Sequence, residues 1–394
     1  MSGPVRRAIV PFLWEVLATR PVVVVSGARQ TGKTHLLRTE FKTHHYVSLD
    51  SASDAEDAEE SGAEFLKKHP PPCVLDEVQY APKLWRHIKG AVDRNREQNG
   101  QYVLTGSQKF ELVQGVSESL AGRAAYVELH SLSVKEIADW SGKPLSKSQV
   151  LEWMWMGGYP EVHAKKLDPT RYYADYVMTY LERDVRQLIQ VRNLRDFDKF
   201  LRMLAIRTGQ LLSLTDLATS VGVSVNTVRA WLGVLEASNV VIILAPYHSN
   251  LGKRLVKTPK VYFADTGLAA YLCGFRSASD LGASQLVGAF FETLMLGQVV
   301  RWHTNQGLRP QLYFFRDHEG HEVDFVIPVG ERFKLFEVKW AEDPSPNMPG
   351  FAWAERAFGA QRILSKTVLV PAGGSRKRGD VRLEDAVTLK SLAK

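Results

Sequence analysis

A glycine-rich stretch near the amino terminus carries residue types that suit phosphate binding. It follows four valines at 22–25, a run that predicts a fully buried strand, and it leads into a helical segment. Its pattern is G-x-x-x-x-G-K-T, in which backbone N–H groups curl around phosphate oxygens at a helix amino terminus. The lysine would reach the β- and γ-phosphates, and the threonine hydroxyl would ligate Mg²⁺. We expect ATP contacts from Gly27, Ala28, Arg29, Gln30, Thr31, Gly32, Lys33, Thr34 and His35.

Two acidic residues follow a second apolar strand, as a hydrolytic nucleotide site requires. The strand is predicted at 73–75 and runs into Asp76 and Glu77. Asp76 would hold the metal through water, and Glu77 would polarise the attacking water. We therefore expect hydrolysis of ATP and not binding alone. An exposed acidic pair after a strand is the structural alternative.

Two further residues extend this predicted site. Ser107 follows the strand predicted at 102–105, where AAA+ ATPases place a polar residue that senses the γ-phosphate, and many of them have asparagine there. Arg123 stands before the strand predicted at 125–129. A basic side chain in that place could approach a phosphate in its own or a neighbouring subunit. A structural arginine on the surface is the equal alternative.

The middle of the chain has a helical pattern and then the spacing of a winged helix. The helical pattern covers residues 135–202 and is interrupted by a turn at Gly157. Ala218, Gly222 and Val228 have the offsets that two helices require when they cross through a short turn. With a second helix at 225–237 and a wing strand at 240–244, they predict a winged helix-turn-helix.

The charge of the predicted winged helix gives little support to nucleic-acid reading. Residues 206–240 carry two arginines and two carboxylates, whereas phosphate contact normally needs several basic side chains. A basic run lies just beyond, at Lys253, Arg254, Lys257 and Lys260. It would flank a nucleic-acid backbone, with Ser224, Asn226, Thr227 and Arg229 on the recognition helix. Use of this fold as an ATPase lid or an oligomer contact is the alternative.

The last third contains a second constellation of charged residues. Asp324 lies in a strand predicted at 322–327, and Glu337 and Lys339 share a face of the next strand, at 333–340. Buried charges are costly unless they are paired or bind a metal. In the restriction-endonuclease fold, the D…E-x-K pattern binds Mg²⁺ through two carboxylates, and the lysine positions or activates water against a phosphodiester. A triad that only stabilises the sheet is the alternative.

The elements around this constellation predict an α-β-β-β-α-β order. A helix at 286–301 carries Glu292, which would add a metal ligand or orient one. Strands follow at 312–316, 322–327 and 333–340, then a helix near 351–358 and a strand at 367–370.

Length and composition place limits on these interpretations. The 394 residues correspond to two to four domains of ~100–200 residues each. With 45% hydrophobic and 24% charged residues, the chain is neither disordered nor fibrous. A net charge of +7 permits a nucleic-acid partner without demonstrating one. Two cysteines build no disulfide framework, and no apolar run reaches ~20 residues, so we expect a soluble, cytoplasmic protein without a membrane partner.

Over nearly its whole length, the chain resembles a bacterial and archaeal family of AAA+ ATPases. The C-terminal half of that family is a domain of unknown function that resembles a restriction endonuclease. The resemblance rests on GARQTGKT, CVLDEVQ, YVLTGSQ, SLAGR, GGYPE, TYLERDV, KRLVKTPKVYFADTGLAAYL, FFETL and EVDFVI…LFEVK. The stretch KTPKVYFADTGL is the most specific to the family.

The resemblance implies roles for residues that the motifs already single out. It does not imply a particular biological process. It implies ATP binding and hydrolysis in the first third and nuclease-like geometry in the last. The residues concerned are Lys33, Thr34, Asp76 and Glu77 for ATP, and Asp324, Glu337 and Lys339 for the nuclease-like site.

We therefore predict an α/β protein of three domains. Residues 1–130 would be a P-loop AAA+ ATPase domain, 131–245 a helical lid with a winged helix, and 246–394 a PD-(D/E)xK-like α/β domain. We expect an Mg²⁺-dependent ATPase that associates with nucleic acid, DNA rather than RNA. We also expect a homo-oligomer, for which a ring is one arrangement. The alternative is a nucleotide-switch scaffold whose C-terminal domain is an inactive interaction module.

Overall fold

The structure, a computed structural model, describes residues 5–106, 112, 115, 118–181, 194–247 and 257–392. The chain divides into two compact units. The smaller unit comprises Arg6–Ser131 and His303–Leu308. The larger unit comprises Met1–Val5, Leu132–Trp302 and Arg309–Lys394, within the limits of the described residues.

The smaller unit is a five-stranded parallel sheet with an apolar core on each face. The strand order is β2-β3-β4-β1-β5. The first strand is apolar throughout because its alternate side chains enter the two cores, Val22 on one face and Val23 on the other. The strands are β1 Val22–Ser26, β2 His45–Ser48, β3 Cys73–Asp76, β4 Tyr102–Gly106 and β5 Ala124–Glu128. The helices are α1 Val10–Leu17, α2 Lys33–Glu40, α3 Ala52–Glu60, α4 Gly62–Lys68 and α5 Leu84–Arg94, with a 3₁₀ turn at Val78–Tyr80.

This strand order determines where the loop after β1 and the acids after β3 can meet. Parallel strands present their carboxyl ends at one edge of the sheet, and β4 separates β1 from β3. Two strand spacings amount to about 10 Å, which the side chains of two loops can span. The architecture confirms the predicted α/β class of this first domain.

The larger unit begins with helices and a small antiparallel sheet. The sheet has the order β6-β8-β7. Its strands are β6 Gln210–Leu211, β7 Val241–Leu244 and β8 Lys260–Phe263. The helices are α6 Val134–Ser141, α7 Lys147–Met156, α8 Pro160–Ala164, α9 Pro169–Tyr176, α10 Leu194–Ala205, α11 Leu214–Val221 and α12 Val225–Ala237, with a π-helical segment at Val177–Leu181. Gly222 ends α11 with φ 90°, and its N–H donates to Ala218 O at 2.8 Å, as the crossing of α11 and α12 requires.

One carboxylate joins two of the sequence motifs in this unit. Asp265 Oδ2 accepts the Gly158 N–H at 2.8 Å, and Asp265 Oδ1 accepts the Tyr173 hydroxyl at 2.7 Å. A Cβ on Gly157 would lie 2.0 Å from that hydroxyl and 2.2 Å from Asp265 Oδ1. The GGYP turn and the FADTGL stretch are therefore fitted to each other, and only glycine suits position 157.

A six-stranded mixed sheet completes the larger unit. Its order is β13-β14-β12-β11-β10-β9. The strands are β9 Tyr313–Arg316, β10 Glu322–Val329, β11 Arg332–Val338, β12 Ile363–Val370, β13 Arg376–Arg378 and β14 Val381–Asp385. The helices are α13 Thr266–Leu272, α14 Ala278–Ala283, α15 Val287–Thr304 and α16 Pro349–Phe358, with 3₁₀ turns at Ala360–Arg362 and Lys390–Leu392. The predicted α-β-β-β-α-β order is present and is extended by β13 and β14.

The three-domain division stays a prediction, and both of the later predicted domains lie in the larger unit apart from Ser131 and His303–Leu308. Among the helices of the described residues, none has the length and apolar character needed to cross a membrane.

Candidate functional site

The loop between β1 and α2 has a backbone that only glycine permits at two positions. A Cβ on Gly27 would lie 2.1 Å from the carbonyl oxygen of Leu129. Gly32 caps α2 with φ 90°, in the left-handed region. The amino terminus of α2 therefore begins directly at the loop, which is the arrangement that binds phosphate.

The side chain of Lys33 lies inside this loop. It is 6% exposed, and its ammonium donates to the carbonyl oxygens of Gly27 at 2.9 Å and of Ala28 at 3.0 Å. Those contacts hold the positive charge within the curl of the loop. A phosphate that entered there would meet an ammonium already in place.

The other residues predicted for nucleotide contact surround this centre. Thr31 is buried and donates its hydroxyl to Ala28 O at 2.9 Å. Arg29 and Gln30 are half-buried, and His35 is exposed in the first turn of α2. Gln30 has φ 61°.

Sequence reasoning did not identify Arg7 as part of this loop. Its side chain is 8% exposed and donates to Thr31 O at 2.9 Å and to His130 O at 2.6 Å. Arg7 thus ties the loop to the segment after β5. The only sequence signal was a pair of arginines before an apolar helix, which does not distinguish a buried contact from a charged terminus.

Asp76, at the end of β3, is the acceptor of a converging set of hydroxyl groups. Its Oδ2 accepts from Thr34 Oγ1 at 2.8 Å and from the Tyr46 hydroxyl, and its Oδ1 accepts from Thr105 Oγ1 at 2.8 Å. The carboxylate is 1% exposed. Burial and the charge of Asp76 raise the pKa of Tyr46 far above its usual range, so its hydroxyl stays a donor at neutral pH. Thr34 and Asp76 together offer the hard oxygen ligands that Mg²⁺ prefers.

Glu77 follows β3 with φ 58°, in the left-handed region, which turns its side chain away from the strand direction. The side-chain amide of Gln79 donates to Glu77 Oε2. Asp50, in the turn after β2, belongs to the same acidic edge. Partial burial and the charges of Glu77 and Asp76 raise the pKa of Asp50. This edge of the sheet therefore has the electrostatic character that attracts a cation.

Of the two further residues predicted for this site, one is not described by the structure and the other lies elsewhere. Ser107 lies outside the described residues. Arg123 precedes β5, at the opposite edge of the sheet from the loop after β1, and its carbonyl accepts the Val22 N–H. Its guanidinium binds both carboxylate oxygens of Asp93, at 2.5 and 3.0 Å. The expectation that Arg123 reaches a phosphate of its own chain is therefore corrected, because the strand length separates them; its role towards a neighbouring subunit stays a prediction.

In the larger unit, the structure brings together the three residues of the predicted nuclease-like triad. The antiparallel register of β10 and β11 pairs Phe325 with Phe336, which places Asp324 opposite Glu337. Asp324 Oδ2 accepts the Val338 N–H at 2.7 Å. Lys339 donates to Glu337 Oε2 at 2.9 Å and leaves 41% of its side chain exposed. The triad opens to solvent on the lysine side.

Two further carboxylates gather around Asp324 of this triad. Ligand oxygens of Glu292, Glu322 and Asp324 all lie within 4.8 Å of one another, and we call these residues the carboxylate cluster. Lys260, from β8, donates to Glu292 Oε1 at 2.9 Å and also to Glu322 Oε1. Tyr262 donates to Glu292 Oε1 at 2.5 Å.

The acids of this region bind protons more strongly than ordinary carboxylates. Burial, followed by the charge of Asp324, raises the pKa of Glu292 to about 7 and that of Glu337 to about 8. Burial also raises the pKa of Asp324. For Lys260, burial lowers the pKa, but the surrounding carboxylates outweigh it and hold the ammonium charged.

The burial of Lys260 corrects one prediction from the sequence. A basic run that includes Lys260 was expected to flank a nucleic-acid backbone. Lys260 is 2% exposed and is bound to carboxylates, because both faces of β8 are covered. Lys253 and Arg254 lie outside the described residues, and Lys257 is exposed. Glu322 was not predicted as a site residue, since an acid at the start of a strand carries no signal of a distant partner.

Comparison with known proteins identifies the family of the first third of the chain and matches the remainder only to domains of unknown function. Residues 19–138 match the family described as AAA domain. Residues 147–279 and 287–391 match two domains of unknown function, DUF8612 and DUF4143. The DUF8612 match runs across position 245, where a domain boundary was predicted.

Two curated relatives are similar over most of their length. They are the uncharacterized proteins Mb2031c of Mycobacterium bovis and Rv2008c of Mycobacterium tuberculosis. Each is 32% identical over 353 residues, which cover 86% of this chain and 75% of the relative.

Two solved structures illustrate the more distant likenesses. The Walker-type ATPase PABY2304 of Pyrococcus abyssi is 17% identical over 69% of this chain and 98% of its own, with a TM-score of 0.47. The AMPPCP-bound DnaA of Aquifex aeolicus is 14% identical over 58% of this chain and 85% of its own, with a TM-score of 0.30.

Proposed function

Since the chain belongs to the family of the mycobacterial proteins Mb2031c and Rv2008c, and residues 19–138 are an AAA-type P-loop ATPase domain, we propose Mg²⁺-dependent ATP hydrolysis. The observation that carries the proposal is the meeting of Thr34 Oγ1 and Asp76 Oδ2 at 2.8 Å, beside the buried ammonium of Lys33. A hydroxyl, a carboxylate and an ammonium at one sheet edge are the groups that a metal-bound triphosphate needs.

Each residue has a separate task in this proposal. Lys33 exchanges its two carbonyl contacts for oxygens of the β- and γ-phosphates. Thr34 and Asp76 would hold Mg²⁺, which would neutralise charge on the phosphates. Glu77 leaves the Gln79 amide and accepts a proton from the attacking water, while Ser107 would contact the γ-phosphate.

The test is ATP turnover in the Glu77→Gln variant. Glutamine keeps the size of the side chain but cannot accept the proton, so turnover should fall about 10²–10⁴-fold while ATP still binds. Glu64→Gln, at an exposed glutamate of the same unit, is the matched control. Normal turnover by Glu77→Gln would show that another group activates the water.

We also propose that the ATPase works as a homo-oligomer, with a ring as one arrangement. Arg123 supports this proposal, because its guanidinium lies away from its own phosphate loop and would be able to contact a phosphate of a neighbouring subunit after it leaves Asp93. Mass measurement in solution, with and without ATP, tests it. A monomer in both conditions would rule the arrangement out, and a normal ATPase rate in Arg123→Ala would remove the arginine from it.

For the larger unit, we propose contact with nucleic acid, DNA rather than RNA. Helices α10–α12 and the sheet β6-β8-β7 have the element order of a winged helix, with α12 as the recognition helix. Arg229 on α12 is exposed and donates to Asn226 Oδ1 at 2.8 Å. Binding of duplex DNA and of RNA at low salt tests the proposal, and stimulation of ATP turnover by DNA would connect the two units.

A second candidate function is Mg²⁺-dependent cleavage of DNA. Two observations favour it: the register of β10 and β11 sets Asp324 opposite Glu337, and the Lys339 ammonium lies 2.9 Å from Glu337 Oε2. In this function Lys339 would position the attacking water and the carboxylates would hold the metal. Cleavage should disappear in Lys339→Ala and persist in Lys377→Ala, which changes an exposed lysine of β13.

The competing proposal is a nucleotide-switch scaffold with an inactive C-terminal module. The low charge of α11 and α12 and the pairing of Lys260 with two carboxylates favour it. Metal-dependent cleavage that is lost in Lys339→Ala would refute the scaffold. Intact ATP turnover with no cleavage and no DNA binding would support it.

A further inference from the structure

The carboxylate cluster draws its three acids from two elements. Glu292 lies on α15, and Glu322 and Asp324 lie on β10. Their oxygens approach within 4.8 Å, although their side chains are buried or half-buried. Three like charges at this spacing repel one another unless a cation lies among them.

The cation in this structure is the ammonium of Lys260. Its side chain is 3% exposed and forms ion pairs with Glu292 Oε1, at 2.9 Å, and with Glu322 Oε1. The other oxygen of Glu322 pairs with Arg316 at 2.7 Å. An ammonium with three donors can serve several carboxylates at once, as a metal ion does.

The remaining acid of the cluster is satisfied from a different direction. Asp324 Oδ2 accepts the Val338 N–H, and the nearby Glu337 pairs with Lys339. A divalent ion that entered among Glu292, Glu322 and Asp324 would lie next to the Lys260 ammonium, where like charges repel in a medium of low polarity. Metal and lysine therefore compete for one position.

We propose that Lys260 is the resident cation of the carboxylate cluster, and that a divalent metal enters the cluster only when this lysine withdraws. The inference concerns the site of the second candidate function and rests on it for what the metal would do there. While Lys260 occupies this position, as it does in the structure, no metal-dependent reaction takes place at the carboxylate cluster.

The lysine reaches the cluster from a different sheet, which gives its withdrawal a structural basis. Lys260 begins β8, whose backbone pairs with Leu211 of β6 and with Leu244 of β7. The acids belong to α15 and to the six-stranded sheet. A displacement of the three-stranded sheet, which belongs with α12 to the proposed winged helix, would draw Lys260 away from Glu322 and Asp324 of the six-stranded sheet.

The experiment is Mn²⁺ binding to the nucleotide-free full chain, followed by electron paramagnetic resonance. Lys260→Met keeps much of the side-chain volume and removes the charge, so it should gain one Mn²⁺ site at least about tenfold tighter than any in the wild type. Lys334→Met is the matched control. That lysine is also buried, on β11, but its ammonium donates to the carbonyl oxygen of Ser391 at 2.9 Å.

A second pair of measurements decides the remaining outcomes. The gained site should be lost in Lys260→Met/Glu322→Gln. A folded Lys260→Met protein with wild-type Mn²⁺ binding would overturn the proposal. If Lys260→Met does not fold, wild-type crystals soaked in Mn²⁺ decide by anomalous scattering. Metal among the three carboxylates, with Lys260 in place, would overturn the proposal, and a cluster without metal would support it.

The readout is metal binding, so the outcome is independent of cleavage. A gained Mn²⁺ site without cleavage of DNA would sustain the role of Lys260 and refute the nuclease. In the opposite outcome, the wild type cleaves DNA, Lys260→Met cleaves it equally well, and no Mn²⁺ site is gained. That result would refute the role of Lys260 and sustain the nuclease.

Discussion

The hydroxyl of Thr105, on β4, donates a hydrogen bond of 2.8 Å to Oδ1 of Asp76, on the neighbouring strand β3. Thr105 is fully buried, and the other carboxylate oxygen faces Thr34 of the phosphate loop. One oxygen of Asp76 is thus fixed to the sheet, and the other is directed to the proposed metal position. Thr105 acts as a positioning residue, since it reaches the nucleotide site only through Asp76.

We predict that Thr105→Val weakens both folding and the use of Mg²⁺. Valine has the same shape without the hydroxyl, so a buried carboxylate loses one donor, at a cost of about 1–3 kcal/mol in the free energy of unfolding. The freed carboxylate should also raise the Mg²⁺ concentration needed for half-maximal ATP turnover. Denaturant unfolding and an Mg²⁺ titration measure the two effects, and Thr43→Val, at an exposed threonine, is the control. A normal Mg²⁺ requirement would show that Thr105 has only a structural role.

The strands and helices of the smaller unit could be predicted from the sequence because their signals are local. Four valines predict a strand with both faces buried, and the glycines of the next stretch predict a loop that turns into a helix. The partners of Asp76 were not predictable in the same way. Tyr46 and Thr105 lie 30 and 29 residues from it, and contacts at such separations depend on strand order.

We predict that Lys33→Ala abolishes tight ATP binding. The buried ammonium would form charge-assisted hydrogen bonds with phosphate oxygens, and their loss at about 3 kcal/mol corresponds to at least about 100-fold weaker binding. Titration with a fluorescent ATP analogue measures this change. Lys67→Ala, which removes an exposed lysine paired with Glu64, should bind as the wild type does. Equal affinity in the two variants would contradict the phosphate-binding role.

In the larger unit, the local sequence pattern predicted the strands better than it predicted which side chains contact one another. The register of Asp324 and Glu337 follows from alternation along two adjacent strands. Lys260, by contrast, looked like one member of a basic run, because adjacency along the chain does not show that both faces of β8 are covered. Arg376 and Arg378 form β13 at the edge of the six-stranded sheet, a place where charged side chains are common.

Two glycines that end successive helices allow a matched test of the joined GGYP and FADTGL motifs. Gly142 and Gly157 end α6 and α7 with φ values of 65° and 73°. A Cβ on Gly142 meets no described atom within 4 Å, so Gly142→Ala should cost only the backbone penalty, about 1–2 kcal/mol. A Cβ on Gly157 would overlap the Tyr173 hydroxyl, so Gly157→Ala should cost about 3 kcal/mol or more. Thermal or denaturant unfolding gives the difference, and equal costs would mean that the contact with Asp265 is readily released.

The buried histidine of the same region predicts a loss of stability in acid. His163 is 6% exposed, and its Nε2 lies 2.7 Å from the carbonyl oxygen of Gly157. Burial lowers its pKa below the usual 6.5, although the Gly157 carbonyl opposes the shift. Below that usual value the unfolded chain binds a proton that the folded chain resists, so the free energy of unfolding falls as the pH decreases towards the folded-state pKa; above it, this group contributes no pH dependence.

The comparison of His163→Gln with the wild type isolates this effect from that of the carboxylates. Denaturant unfolding from about pH 7 to about pH 5 should show a steeper loss of stability in the wild type than in His163→Gln. His87→Gln, at an exposed histidine of the other unit, controls for the loss of an imidazole and should keep the wild-type slope. If His163→Gln keeps the wild-type slope as well, the folded chain accepts the proton at position 163 as readily as the unfolded chain does, and the GGYP turn tolerates a charged imidazole.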